Sequence, residues 1–238
     1  MKLTFLDRLV AAHATRRRIA LVTDLSCGRQ AVFADGATEG DLELDDATVG
    51  RIHEALIHDR NTMLEMPAGA LFIEIWNPPL RLAIVGAVHI AQALAPIAAL
   101  AGLQVMVIDP RKGFAAQHRF RDTAVIADWP DEALAVLKPD KRTAIVTLTH
   151  DPKIDDSALQ AALRSEAFYI GALGSRRTHV KRVERLIAAG FDMADVARIR
   201  GPVGLDIGAV TPGEIAVSII AGIVAEMRND RVRARPRP

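Results

Sequence analysis

From Leu82 onward the apolar positions arrive in blocks whose period keeps changing. Leu82-Ala83-Ile84-Val85 is a continuous run, Gly86 breaks it, an alanine-rich stretch runs from His89 to Ala101, and Gly102 precedes a second run, Val105-Met106-Val107-Ile108. Short continuous apolar blocks separated by a helix-length stretch predict strands buried on both faces. The alternation continues, with strands expected near 82–86, 104–109, 123–127, 143–149 and 167–171 and helices near 89–101, 131–138, 155–165 and 175–190. The fold class is therefore α/β, a Rossmann-like, doubly wound parallel sheet.

Upstream the pattern is different. Leu3 to Ala14 and Asp45 to His58 have helical spacing, Ile19 to Thr23 and Gln30 to Ala34 read as strands, and Leu71 to Trp76 alternates as a half-buried strand. A small α+β domain is expected over residues 1–79, ending at Asn77-Pro78-Pro79, with the Rossmann-like domain over 80–230. Residues 231–238, RVRARPRP, form a basic tail whose composition cannot bury a core and is expected to be disordered. The last helix has a start signal in Thr211, Pro212 and Glu214, which gives Glu214 a capping role.

Charge changes little in this picture: 30 Lys and Arg against 29 Asp and Glu leave no basic field for nucleic acid. The single cysteine, Cys27, excludes an intramolecular disulfide, and a reducing cytoplasm is the expected setting. The long apolar region is broken by His89, Gln92, Pro96 and Gln104, so it reads as a buried core and not a membrane span.

Ligands of an open parallel sheet bind beyond the carboxyl ends of its strands, and four polar clusters are expected there. Gly86 and His89 follow the first strand, and Asp109 and Arg111 follow the second, Asp109 coming 23 positions after Gly86. His150 follows the 143–149 strand, and Gly171, Gly174, Ser175, Arg176 and Arg177 follow the 167–171 strand. A dinucleotide fingerprint would place glycines at 86, 88 and 91, where the chain has Gly86, Val88 and Ala91. The start of the helix at Ser175, with its two arginines, is the best phosphate candidate, Gly171 and Gly174 leaving room for backbone to approach a ligand. Asp109 either holds a ribose hydroxyl or accepts hydrogen bonds from the next loop, and Arg111 either pairs with it or favours a phosphate. Asp155 and Asp156 read as caps of the helix that follows them. Gly204 and Asp206, in a glycine-rich loop before the last helix, are further candidates for ligand contact. No metal site and no nucleophile, base and orienting group can be assembled from these residues.

The segments GAVHIAQAL, IDPR, TLTHDPKIDD, YIGALGSRR and GPVGLDIGAVTPGEIAVSIIAGIVA, in that order, resemble the carboxy-terminal domain of the XdhC/CoxF family, the xanthine dehydrogenase accessory factors. The resemblance covers about 82–227 and implies a Rossmann-like chaperone that binds the molybdenum cofactor as cargo. It implies protection of that cofactor while its terminal sulfur is installed, and delivery to a xanthine, aldehyde or carbon monoxide dehydrogenase. The implied partners are a molybdenum hydroxylase apo-enzyme and a cysteine desulfurase, with a homodimer left open. Before residue 80 the chain lacks the GSxPR-like and GGCxE-like segments of longer members, and Cys27 reads as a small half-buried residue. The alternative is an oxidoreductase using NAD(P) in the same domain.

Overall fold

The computed structural model describes residues 3–67 and 69–228. The basic tail expected at 231–238 lies outside the described residues. The chain divides between Pro78 and Pro79 into two compact units.

The first unit contains α1 (Leu3–Ala14), β1 (Ile19–Asp24), β2 (Gln30–Ala34), β3 (Ala37–Gly40), α2 (Asp46–His58), β4 (Thr62–Met66) and β5 (Gly69–Trp76). Its sheet has the order β3-β2-β1-β5-β4, with every neighbouring pair antiparallel. Side chains alternate across a strand, and here both faces are covered. Ala20, Val22, Ala31 and Phe33 meet Ile52, Ala55 and Leu56 of α2, whereas Ile19, Leu21 and Val32 meet Phe5, Leu9 and Ala12 of α1. That double cover explains why Ile19 to Val22 are all buried in an antiparallel sheet. β3, whose ATEG sequence carries no apolar period, is exposed along its whole length and forms through backbone pairing to β2.

The second unit contains β6 (Arg81–Val85), α3 (His89–Leu100), β7 (Gln104–Ile108), β8 (Ala124–Ile126), α4 (Pro130–Leu137), β9 (Thr143–Thr147) and α5 (Pro152–Leu163). It continues with β10 (Tyr169–Ala172), α6 (Arg176–Ala188), α7 (Met193–Val196), β11 (Ile199–Arg200) and α8 (Pro212–Met227). The sheet is parallel in the order β11-β10-β9-β6-β7-β8. Leu82 and Ile84 face α3 and α8, and Ala83 and Val85 face α4, α5 and α6. Burying each such aliphatic side chain contributes about 1.5–3 kcal/mol, so the β-branched runs fix the centre of the sheet. The strands run β6-β7-β8 to one side and β9-β10-β11 to the other, so strand order reverses between β6 and β9, the switch point where α/β sheets open a crevice.

α8 starts as its sequence directs: Thr211 and Glu214 form a reciprocal capping box with Pro212 in the first turn. α5 corrects the sequence reading. It begins at Pro152 with Asp151 as N-cap, three residues earlier than expected, so Asp155 and Asp156 are inside the helix and do not cap it.

The loop into α8 is held by close backbone approach. Gly204, at φ +89°, has Ser218 of α8 so near that an added Cβ would stand 2.3 Å from Ser218 Oγ and 2.8 Å from its backbone. Gly204→Ala is expected to lower stability by roughly 2–4 kcal/mol, from positive φ and overpacking together. Gly213→Ala, with nothing near its Cβ and a helical position, is expected to be neutral or to stabilise by about 0.5–1 kcal/mol. Denaturant unfolding of the two variants checks the contrast, and equal effects would contradict this packing.

Candidate functional site

The turn after β6 is built by a glycine that nothing else could replace. Gly86 has φ +105°, and a Cβ there would lie 2.5 Å from the Thr149 side chain across the switch point. The next peptide is fixed at both ends: Ala87 N–H donates to Asp109 Oδ2 at 2.8 Å, and its carbonyl accepts from Arg119 Nη1 at 2.9 Å. Arg119 also donates to Gln92 Oε1 of α3. The loop after β7 therefore holds the start of α3 in place.

Asp109 sits at the end of β7 and is 0% exposed. Its two oxygens accept from Ala87 N–H, Arg111 N–H, and Arg111 Nε and Nη2, at 2.7–2.9 Å. Burial alone would raise this carboxyl, but the hydrogen bonds from Arg111 and Ala87 outweigh it and hold Asp109 below the ordinary carboxylate range. Of the two readings open in the sequence, the geometry matches acceptance from neighbouring loops: both oxygens are already engaged. Arg111, paired with Asp109, lies 4.2 Å over the Phe114 ring and keeps part of its side chain at the surface.

On the other side of the switch point, Thr149 follows β9 and donates to Asp155 Oδ1 at 2.6 Å. Asp155, 3% exposed, is pushed up to about 6 by burial, against lowering by Thr149 and Arg182. Arg182 of α6 is 2% exposed; it donates from Nη2 to the Leu173 carbonyl at 2.7 Å and stands 4.0 Å from Asp155 Oδ2. Burial lowers its guanidinium's pKa, with Asp155 and Asp156 acting in the opposite sense. Between α5 and α6 these groups open onto a cavity of about 300 Å³ lined also by His150, Arg177, Lys181 and Arg185. Asp156 takes Arg185 in a bidentate pair at 2.5 and 2.9 Å, so one positive charge on the rim is already neutralised.

The residues expected from sequence thus separate into groups. Gly86, Asp109 and Arg111 join Thr149 at the crevice, while His150 and Arg177 line the α5–α6 cavity. His89 opens α3 with its side chain exposed. Ser175 is the N-cap of α6, its Oγ accepting from Thr178 N–H, and Gly174 at φ +129° packs against Thr178. Arg176 is exposed at the first position of α6, one residue before the arginine that reaches the cavity. Gly171 needs correction: it lies inside β10, and the room it leaves is filled by Val203 and Tyr169, 2.5 and 2.9 Å from an added Cβ. It serves packing, not backbone approach to a ligand. Gly204 lines a different cavity, with Tyr169, Arg200 and Gly222, and Asp206 is exposed two residues further along that loop.

Sequence reasoning missed Asp155 and Arg182 as site groups. Asp155 was hidden by the misplaced start of α5, and Arg182 by a helix so rich in cations that it read as solvated. Its spacing from Leu186, also buried, was the one available signal. Cys27 is exposed, not half-buried as expected, and accepts a hydrogen bond from Arg29 Nε at 3.2 Å. Among the described residues no group of three or more His, Cys, Asp or Glu could hold a metal ion, and no helix is long and apolar enough to cross a membrane.

Comparison with known proteins agrees with this architecture. The XdhC Rossmann domain matches residues 82–223. The molybdenum cofactor insertion chaperone PaoD of Escherichia coli is 32% identical over 150 residues, which cover 63% of this chain and 41% of PaoD. A probable xanthine dehydrogenase component of Bacillus subtilis is 32% identical over 155 residues, covering 65% of this chain and 45% of that protein. The crystal structure of a xanthine dehydrogenase from Bacillus halodurans superposes with a TM-score of 0.72 at 26% identity, covering 98% of this chain and 66% of the other. The aligned region spans less than half the length of these curated relatives. With the Rossmann domain matched over more than half of its residues, the chain belongs to the XdhC family.

Proposed function

We propose that the chain carries a molybdenum cofactor and passes it to a molybdoenzyme. The observation that carries this reading is the pairing of a switch-point crevice with a basic cavity, both beyond the carboxyl ends of the strands. A flat polar ring with a phosphate-bearing arm needs both, a slot for the ring and cationic donors for the arm. Membership of the XdhC family and the likeness to a molybdenum cofactor insertion chaperone support it.

In this reading Gly86 and the Ala87 peptide form one wall of the slot, with His89 and Arg111 offering donors beside it. His150, Ser175 and Arg177 flank the phosphate side, with Gly174 keeping the start of α6 close. Asp109 acts through others, holding Ala87 and Arg111 where the ligand needs them. Asp206, Gly204 and Arg176 remain candidates for contact at the margins. The receiving enzyme is of the xanthine, aldehyde or carbon monoxide dehydrogenase type, the cofactor is held while its sulfur is installed, and a cysteine desulfurase supplies that sulfur. The chain works in the cytoplasm as a carrier without a catalytic group of its own, alone or as a homodimer.

An NAD(P)-linked oxidoreductase would use the same crevice. It would need Asp109 for a ribose hydroxyl, which means breaking contacts that now satisfy a fully buried carboxylate.

Protein purified from cells that make the cofactor should release, on oxidation, a fluorescent pterin in an amount approaching one per chain. Pterin-free protein from such cells would remove the carrier reading. NAD and NADP should bind weakly in calorimetry, and Val88→Gly, which clears the side chain at the N-cap of α3, should strengthen them. Tight nicotinamide binding by the parent chain would favour the oxidoreductase.

A further inference from the structure

The floor of the α5–α6 cavity holds an arginine with donors to spare. Arg182 Nη2 donates to the Leu173 carbonyl, but its buried Nε and Nη1 find no acceptor among the described residues. A guanidinium has five N–H donors, and leaving charged donors unsatisfied away from water is costly. Asp155 does not relieve it: that carboxylate stands 4.0 Å away, and its other oxygen is taken by Thr149. The backbone at the start of α6 contributes less than its position suggests, because Ser175 Oγ already occupies Thr178 N–H. An incoming oxyanion would thus meet side-chain donors first, from Arg182 below and from Arg177 and Lys181 around it.

We propose that this cavity is an oxyanion pocket that takes the phosphate end of the ligand, with Arg182 as its buried donor and Arg177 and Lys181 closing over it. The assignment of the anion to a pterin cofactor rests on the carrier reading above. The pocket itself is testable without that cofactor.

Asp155 sets the sign of a pH dependence. It faces Thr149 after β9, Arg182 and Arg185 from α6, Arg111 after β7, and Asp156 on its own helix, with His150 on the rim. Burial pushes it up to about 6, so below that pH it is neutral and leaves Arg182 to the anion. Above that pH it is ionised, competes for Arg182 and repels the anion. Affinity for an oxyanion of constant charge should therefore fall as pH rises through about 6.

Calorimetric titration of the full chain with sulfate, whose charge stays constant on either side of neutrality, tests this. Arg182→Lys, which keeps the charge but loses the fork, and the double variant Arg177→Ala with Lys181→Ala should each bind about tenfold more weakly. Lys141→Ala, which lies ahead of β9 at the opposite end of the strands, should bind as the parent does. Asp155→Asn should abolish the fall in affinity across about pH 6. If Arg182→Lys does not fold, judged by circular dichroism, the exposed pair Arg177 and Lys181 decides the matter. Absence of sulfate binding, or equal binding in all variants, overturns the pocket. Sulfate binding with the expected losses, in a chain that retains no pterin, keeps the pocket and removes the carrier reading instead.

Discussion

A carboxylate with no access to water, Asp109, ties the turn after β6 to the loop after β7. Of the four hydrogen bonds it accepts, one comes from Ala87 N–H, just ahead of α3, and three come from Arg111. Desolvating a lone carboxylate would cost several kcal/mol, so the geometry survives only while Arg111 and both backbone donors stay in place. Rearranging any one of these contacts would leave the others with a buried charge to satisfy, which makes the crevice wall stiff.

The buried charges on the far side of the switch point behave differently. Arg182 and Asp155 are both nearly inaccessible, yet at 4.0 Å they do not form a close hydrogen-bonded pair. Buried ion pairs rarely add net stability even when geometry is good, and this one leaves donors unmatched. Such an arrangement makes sense as a place where stability has been traded for the capacity to receive something negative. One wall is rigid because its charges are satisfied, and the other is receptive because its charges are not.

Much of this was legible in the sequence, for physical reasons. The apolar runs at β6 and β7 announce strands because both faces of a parallel sheet must be covered, and the signal at Thr211-Pro212-Gly213-Glu214 fixes the start of α8. Elements with little or no apolar period left no trace: β3 is wholly exposed and held by backbone pairing, and β11 is two residues long with only Ile199 buried. The site was half visible. Gly86 and Asp109 carry their geometry in residue type and spacing, but Gly171 looked like an opening and proved to be filled by Val203. The cationic α6 hid its one buried arginine, since nothing in a run of basic residues says which points inward.

The margins of the two sheets, short in one and carrying acidic residues in the other, bear on how the chain behaves when crowded. An open edge offers unpaired backbone groups to any passing strand, which is the usual seed of aggregation. Here β8 and β11 are three and two residues long, too brief to template a partner. The longer edges carry acidic residues, Glu39 on β3, paired with Arg8, and Glu65 on β4. In a chain with half its residues hydrophobic, short edges and edge carboxylates are features that work against sheet-to-sheet pairing between copies.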